Sequence, residues 1–371
     1  MPAGKAGECR CFQAPSRYMQ GPGLINRLHK FAANFGKTAL LIIDPYFYDD
    51  FSVRVPAQFE EHGMKAYTVK FPGYAGHKEL QELIDFVKTL PEIPETFIGM
   101  GGGQAMDLNK AVAAHYRKNW ISFATALTTD APTFMHTIIN NPGGQNELMF
   151  HYKNPDYVVV DTEITIKSPA WMLTSGIGDA LATYIEAEAS AANNNVCNSG
   201  LEDYKPSMLG MAAAKLCYDI LLKDGVAAMR AAKQQLRTPA YENVVEAATL
   251  LSGVGCENTG VSISHGLQAG FGVLPKHFLH GTGVGYCVLV QLVVQNDERF
   301  PEVFQFCKDV GIPVCTADLE IPAEERDMYI EKLVDSVYGK RWNVTNVPFF
   351  FEKSTLVDAI KYLDLYAAEH K

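Results

Sequence analysis

Asp179, His265 and His280 supply one carboxylate and two imidazoles, each close to glycine, in the segments Ser175–Ala182, Ser264–Gly266 and Leu279–Gly281. One oxygen and two nitrogens are the donor types of a zinc site whose fourth position is left open, and an open position points to catalysis rather than structure. Singly, each residue has a bland reading. Asp179 follows Gly176 and Gly178 at what reads as the start of an apolar helix, where a carboxylate ordinarily caps free N–H groups. His265, after Val261–Ser264, reads equally as a hydrogen-bonded core histidine, and His280 competes with His277 as a ligand.

A second constellation precedes these. Gly99, Gly101, Gly102 and Gly103 lie between a β-rich run and a helix whose body begins near Ala105, where backbone N–H groups and the helix dipole can hold a pyrophosphate. The generic dinucleotide fingerprint needs a glycine where Gln104 stands, and the acid expected about 20 residues downstream is missing. Asp44 ends an upstream strand. It is placed either to accept hydrogen bonds from an adenosine ribose and repel a 2'-phosphate, favouring NAD over NADP, or to begin the Asp44-Pro45 turn. Thr125–Pro132 follows the strand near Ile121–Phe123. There Thr125 and Thr128 can contact phosphate or ribose and Asp130 a polar substrate, while the alternative is a helix cap or Asx turn.

The elements that must position these groups alternate in the first half. Strands are expected at Thr38–Ile43, Lys65–Phe71, Thr96–Gly99, Trp120–Ala124 and Tyr157–Val160, with helices at Val53–His62, Lys78–Thr89 and Ala105–Tyr116. Such alternation predicts a parallel sheet covered by helices on both faces. After about Thr165 the texture turns to alanine- and leucine-rich helical spacing at Ala180–Ala192, Pro206–Leu222, Tyr241–Ser252 and Val284–Val294. An α/β domain followed by an all-α domain is the expectation, with the boundary near Ile164–Ser168.

The 371 residues, 47% hydrophobic and 20% charged, are enough for two ordinary cores. A formal net charge of −10 argues against nucleic acid or an anionic membrane as the main partner and leaves a small molecule. Residues Met1–Arg17 lack the apolar core of a signal peptide, and no apolar run reaches the roughly 18 to 20 residues of a membrane span, so a cytoplasmic protein is expected. Most of the eight cysteines sit in apolar contexts, as at Cys217, Cys287 and Cys307, where a reduced buried thiol is usual. Cys9-Arg10-Cys11 has a metal-like spacing but no second Cys or His pair nearby.

The chain resembles the glycerol dehydrogenases of the iron-containing alcohol dehydrogenase and dehydroquinate synthase-like superfamily. The resemblance rests on Tyr18–Arg27, the glycine run with Asp107 and Lys110, Thr129–Pro132, Asn154–Asp156 with Val159–Asp161, Gly176–Thr183, Leu251–Gly255 and His280-Gly281, in the family's order. It implies a dehydroquinate synthase-like fold, with an NAD-binding α/β domain over residues 1–165, a helical metal-binding domain over 166–371 and an active-site cleft between them. It places the metal on Asp179, His265 and His280. Iron-using members generally carry a histidine four residues after the aspartate, where this chain has Thr183, so three ligands favour Zn2+.

The implied reaction is hydride transfer between NAD and a small polyol or secondary alcohol, a glycerol-like vicinal diol, giving its ketone. Catalysis falls to Asp130 and His265. Cofactor contacts fall to Asp44, Gly101, Gly102, Gly103, Gln104, Thr125, Thr128, Phe134, His136 and Asn140. A homo-oligomer is implied, with an octamer as one form.

Departures gather around cofactor and substrate. Gln104 stands where lysine usually follows the three glycines, Phe134 and His136 replace small and aliphatic residues near the nicotinamide, Asn140 replaces a frequent tyrosine, and His280–Gly283 departs from His-Gly-Glu-Lys. His136 reads as a proton relay or, preferably, as a local polar contact. Two other functions remain expected alternatives: a dehydroquinate synthase-like lyase or cyclase that recycles NAD internally, and an NAD-binding homologue without catalysis.

Overall fold

The computed structural model describes residues 4–141, 146–200 and 203–370. Two compact units divide the chain, Ala14–Ser168 and Met1–Gln13 together with Pro169–Lys371. The early segment packs with the helical unit: Ala6 N–H donates to Asn194 O at 2.9 Å and Lys205 N–H to Cys9 O at 2.9 Å.

The first unit is an α/β layer structure. Six strands, β1 (Tyr18–Gly21), β2 (Thr38–Ile43), β3 (Lys65–Lys70), β4 (Thr96–Gly101), β5 (Asn119–Ala124) and β8 (Tyr157–Asp161), form one sheet in the order β1-β8-β5-β4-β2-β3. Every pairing in it is parallel. Two shorter strands, β6 (Thr137–Ile139) and β7 (Glu147–Met149), pair antiparallel. The helices are α1 (Leu28–Ala32), α2 (Tyr48–Glu61), α3 (His77–Thr89), α4 (Gly103–His115) and α5 (Thr162–Thr165).

The sheet explains the continuous apolar run of β2. Leu41 and Ile43 point into a core with Phe51, Val55 and Phe59 of α2, whereas Leu40 and Ile42 enter another with Leu83, Ile84 and Val87 of α3 and Val112 of α4. A strand buried on both faces needs apolar residues at every position rather than at alternate ones. The register pairs Ile43 with Met100 and Gly101 with Ala124, so the carboxyl ends of β2, β4 and β5 finish side by side. Asp44, Gly101–Gly103 and Thr125 therefore come together at the edge where ligands of such sheets collect.

The second unit is helical: α6 (Ala170–Ala192), α7 (Met208–Lys233), α8 (Pro239–Glu246), α9 (Ser252–Glu257), α10 (Ile263–Gln268), α11 (His280–Gln295), α12 (Phe300–Val310), α13 (Arg326–Val337) and α14 (Lys353–Glu369). A π-helical turn, Ala247–Leu251, links α8 to α9 inside what the spacing presented as one helix. Among the described residues no helix is long and apolar enough to cross a membrane.

One expectation is corrected. Asp179 does not begin a helix: α6 starts at Ala170, nine residues earlier, and runs through Gly176 and Gly178. Glycine weakens an isolated helix by about 1 kcal/mol, but here both glycines are buried, and tertiary contact offsets the weak propensity. The capping reading of Asp179 falls with that start.

Candidate functional site

Asp179 projects from the middle of α6, His265 from α10 and His280 from the first position of α11. What brings α6 and α11 together is the absence of side chains between them. A Cβ on Gly178 would lie 2.3 Å from Gly281 O, and one on Gly281 would lie 2.0 Å from Ser175 O and 2.8 Å from Asp179 Cβ. The glycine on each helix is thus a condition of the approach that sets His280 beside Asp179.

The Nε2 atoms of His265 and His280 each lie 3.5 Å from Asp179 Oδ1. Ligating atoms of the three residues all fall within 4.8 Å of one another. A direct hydrogen bond would draw such atoms to about 2.7–3.2 Å. Donors held about 2.0–2.1 Å from a tetrahedral ion are separated by roughly 3.3–3.4 Å. The observed spacing is thus long for hydrogen bonds and close to that of ligands around a shared cation, and the donor set fits zinc. His277 is exposed and outside the trio. The Asp179 side chain is 3% exposed and that of His280 46%, so the centre has one wall in the core and one open to solvent.

The charges favour a cation there. Burial disfavours the imidazolium form of His265, but the Glu186 and Asp179 carboxylates outweigh it and hold its pKa well above the ordinary value. At His280, about half of whose side chain is shielded from water, that shielding prevails over the attraction of Asp179, and the neighbouring His265 adds to it, so its pKa is lowered.

Sequence reading passed over Glu186. It stands seven residues after Asp179, two helical turns along the same face, and that spacing was the available signal. Its buried carboxylate accepts the backbone N–H of Ser262 at 2.8 Å and of His265 at 2.9 Å through Oε1, while Oε2 pairs with His265 Nδ1. Thr183, between Asp179 and Glu186 on that face, shares a hydrogen bond with Ser252 Oγ at 2.9 Å.

In the α/β unit the glycine run caps α4, with Gly102 at the N-cap, and a Cβ on Gly102 would meet nothing within 4 Å. Space in front of a helix N-terminus is what a pyrophosphate requires. Asp44 Oδ1 accepts Tyr46 N–H at 2.9 Å, the Asx turn, while its other carboxylate oxygen faces Gly101. Thr125 is buried at the end of β5, its N–H donating to Gly101 O at 3.0 Å, and Thr128 follows half-buried in the same loop. Gln104 is exposed but tied down, its Oε1 accepting Ala75 N–H at 3.0 Å, and Asn140 N–H donates to Ala75 O at 2.8 Å.

Asp130 is buried, and its carbonyl accepts Thr133 N–H at 3.0 Å. Phe134 and His136 are buried and stacked with ring centroids 4.6 Å apart. Burial and the nearby Lys110 charge push the His136 pKa well below its ordinary value, and its Nδ1 has no hydrogen-bond partner among the described residues. His136 is therefore a neutral, packed ring.

A sequence model described as iron-containing alcohol dehydrogenase matches residues 15–162. Glycerol dehydrogenase of Thermotoga maritima is 34% identical, the match covering 96% of this chain and 97% of that one. Glycolaldehyde reductase of Halobacterium salinarum is 31% identical over 95% of this chain and 96% of its own. The crystal structure of a probable glycerol dehydrogenase from Sinorhizobium meliloti superposes with a TM-score of 0.89 at 31% identity, covering 97% of this chain and all of that one.

Proposed function

Since the chain belongs to the iron-containing alcohol dehydrogenase family, among its glycerol dehydrogenases, we propose that it is a zinc-dependent NAD oxidoreductase interconverting a small vicinal diol and its hydroxyketone. The observation that carries this reading is the trio of Asp179, His265 and His280, with both imidazole nitrogens 3.5 Å from one carboxylate oxygen and one side open. It draws support from the likeness to a glycerol dehydrogenase and to a glycolaldehyde reductase, whose names both point to small hydroxylated substrates.

Asp179, His265 and His280 would hold the ion. Gly101, Gly102 and Gly103 would receive the pyrophosphate through the N–H groups at the start of α4, and Asp44 would accept from the adenosine ribose and repel a 2'-phosphate. Gln104, Thr125, Thr128, Phe134, His136 and Asn140 would line the cofactor's path, with Asp130 orienting the second hydroxyl of the diol. When bound, zinc supplies a Lewis acid that stabilises negative charge on the reacting oxygen, and NAD supplies the hydride acceptor.

The same reading makes the protein a cytoplasmic homo-oligomer, an octamer among its forms. Eight cysteines, none of them in a disulfide, suit a reducing compartment, and exposed Met208, Leu209 and Leu216 on α7 suit a contact between copies.

Purified protein given NAD with glycerol or 1,2-propanediol should produce NADH, and chelation should abolish the rate until zinc is restored. Full turnover by protein stripped of metal would overturn the reading. Product formation without net NADH would instead favour a cyclase.

A further inference from the structure

Glu186 lies too deep to meet a ligand, at 1% exposure of its side chain, and its carboxylate is spent entirely on the segment that carries His265. Oε1 takes the backbone N–H groups of Ser262 and His265, and Oε2 takes the ring. One side chain therefore holds both the main chain and the imidazole of a single residue. Gln291 of α11 holds the adjacent position, its Oε1 accepting Ser264 N–H at 2.9 Å and Ser264 Oγ–H at 2.8 Å. The first turn of α10 is thus clamped from α6 on one side and α11 on the other.

We propose that Glu186 is the positioning residue of the metal centre: it keeps the His265 proton on Nδ1, so that the Nε2 lone pair faces Asp179 and is free to ligate. An ionised carboxylate can only accept hydrogen bonds, so the nitrogen facing it must be the donor. A neutral imidazole carries one proton, and committing it to Nδ1 leaves Nε2 as the acceptor. With the ring plane also fixed by that bond, His265 needs neither to rotate nor to change tautomer when a cation arrives. This inference rests on the zinc-centre reading.

Glu186→Gln separates this role from a merely structural one. The two backbone N–H groups at Oε1 can be met only by the amide oxygen of glutamine, which turns the amide NH2 toward His265 Nδ1. That arrangement keeps the main-chain clamp but asks Nδ1 to accept, moving the ring proton to Nε2, where it opposes ligation. Above the pH at which His265 becomes neutral, E186Q should therefore keep the wild-type denaturation midpoint, while zinc affinity, measured by competition with a chromophoric chelator, falls roughly 10- to 100-fold. Histidine 15N spectra of the metal-free proteins, recorded above the pH at which His265 becomes neutral, should show Nδ1–H in the wild type and Nε2–H in E186Q.

Wild-type zinc affinity together with an unchanged tautomer in E186Q would overturn the proposal. If E186Q does not fold, the wild-type spectrum alone decides, because a neutral His265 bearing its proton on Nε2 contradicts it. Wild-type protein that binds no zinc would instead overturn the metal-centre reading, and the tautomer measurement would still judge Glu186.

Discussion

Lys110 sets its ammonium 2.9 Å from the Asp107 carboxylate one turn away on α4, with the lysine side chain wholly removed from water. The same Nζ donates to Ala131 O at 3.1 Å and to His136 O at 2.5 Å, so one buried cation ties the helix behind the glycine run to the loop that carries Asp130, Phe134 and His136. Burial raises the Asp107 pKa, and the Lys110 charge offsets part of that rise. Replacing Lys110 with methionine leaves a buried carboxylate without its counter-charge and removes the Nζ donor from the carbonyls of Ala131 and His136. The expected loss of stability is about 3–5 kcal/mol, read from urea denaturation, and a loss below about 1 kcal/mol would show that Lys110 does not anchor the loop.

Acid should weaken the α/β unit through its histidines. Burial, helped by the Lys110 charge, lowers the His151 pKa to about 4, and Thr137, whose hydroxyl donates to Asp107 O, is left to accept from His151 Nε2 at 2.9 Å. An unfolded chain takes up that proton near pH 6.5, while the folded one resists until about pH 4. Folded stability is therefore undiminished above pH 6.5 and falls as the pH drops toward 4, by at most about 1.4 kcal/mol per pH unit for each such group. His136 acts in the same direction. His151→Gln should flatten the dependence of the denaturation midpoint on pH between 4 and 6.5, and an unaltered profile would refute the assignment.

Gly281→Ala tests the close approach of α6 and α11. The new methyl would stand 2.0 Å from Ser175 O, a backbone atom that cannot swing aside. Separating the helices should lower stability by about 1–3 kcal/mol and carry His280 away from Asp179. Zinc affinity and thermal midpoint should fall together. A variant that loses neither would refute the requirement for glycine at the α6–α11 contact.

Introducing a third imidazole, as a fourth candidate ligand beside Asp179, His265 and His280, should fail as a route to a richer metal site. Thr183 lies against Ser252, and its methyl would be 2.8 Å from a Cβ on Gly255, which also packs on Ala214. Thr183→His must insert a ring where only a small side chain fits, with an expected destabilisation of about 1–3 kcal/mol. Metal analysis should find no gain in affinity for iron over zinc, and a clear gain would refute the steric argument.

Much of the α/β unit was legible because its signals are local. Ala39–Ile43 of β2 is apolar at every position, as a strand covered on both faces must be, and the glycine run precedes a helix as a phosphate-holding turn does. The trio Asp179, His265 and His280 was legible as donor types and, through the family resemblance, as a set. The start of α6 was not, since Gly176 and Gly178 look like helix-breakers until α11 is seen to need the smallness of Gly178.

By itself the sequence determined which atoms were available: one carboxylate and two imidazoles for a cation, and free backbone N–H groups for an anion. Tertiary structure decided that Asp179, His265 and His280 stand together, that Glu186 pairs with His265 on the side away from Asp179, and that Lys110 joins helix to loop. Those relations link residues from 15 to 101 positions apart, apart from the local Asp107–Lys110 pair. Side-chain periodicity records which face of one element is buried, but not which other element will cover it.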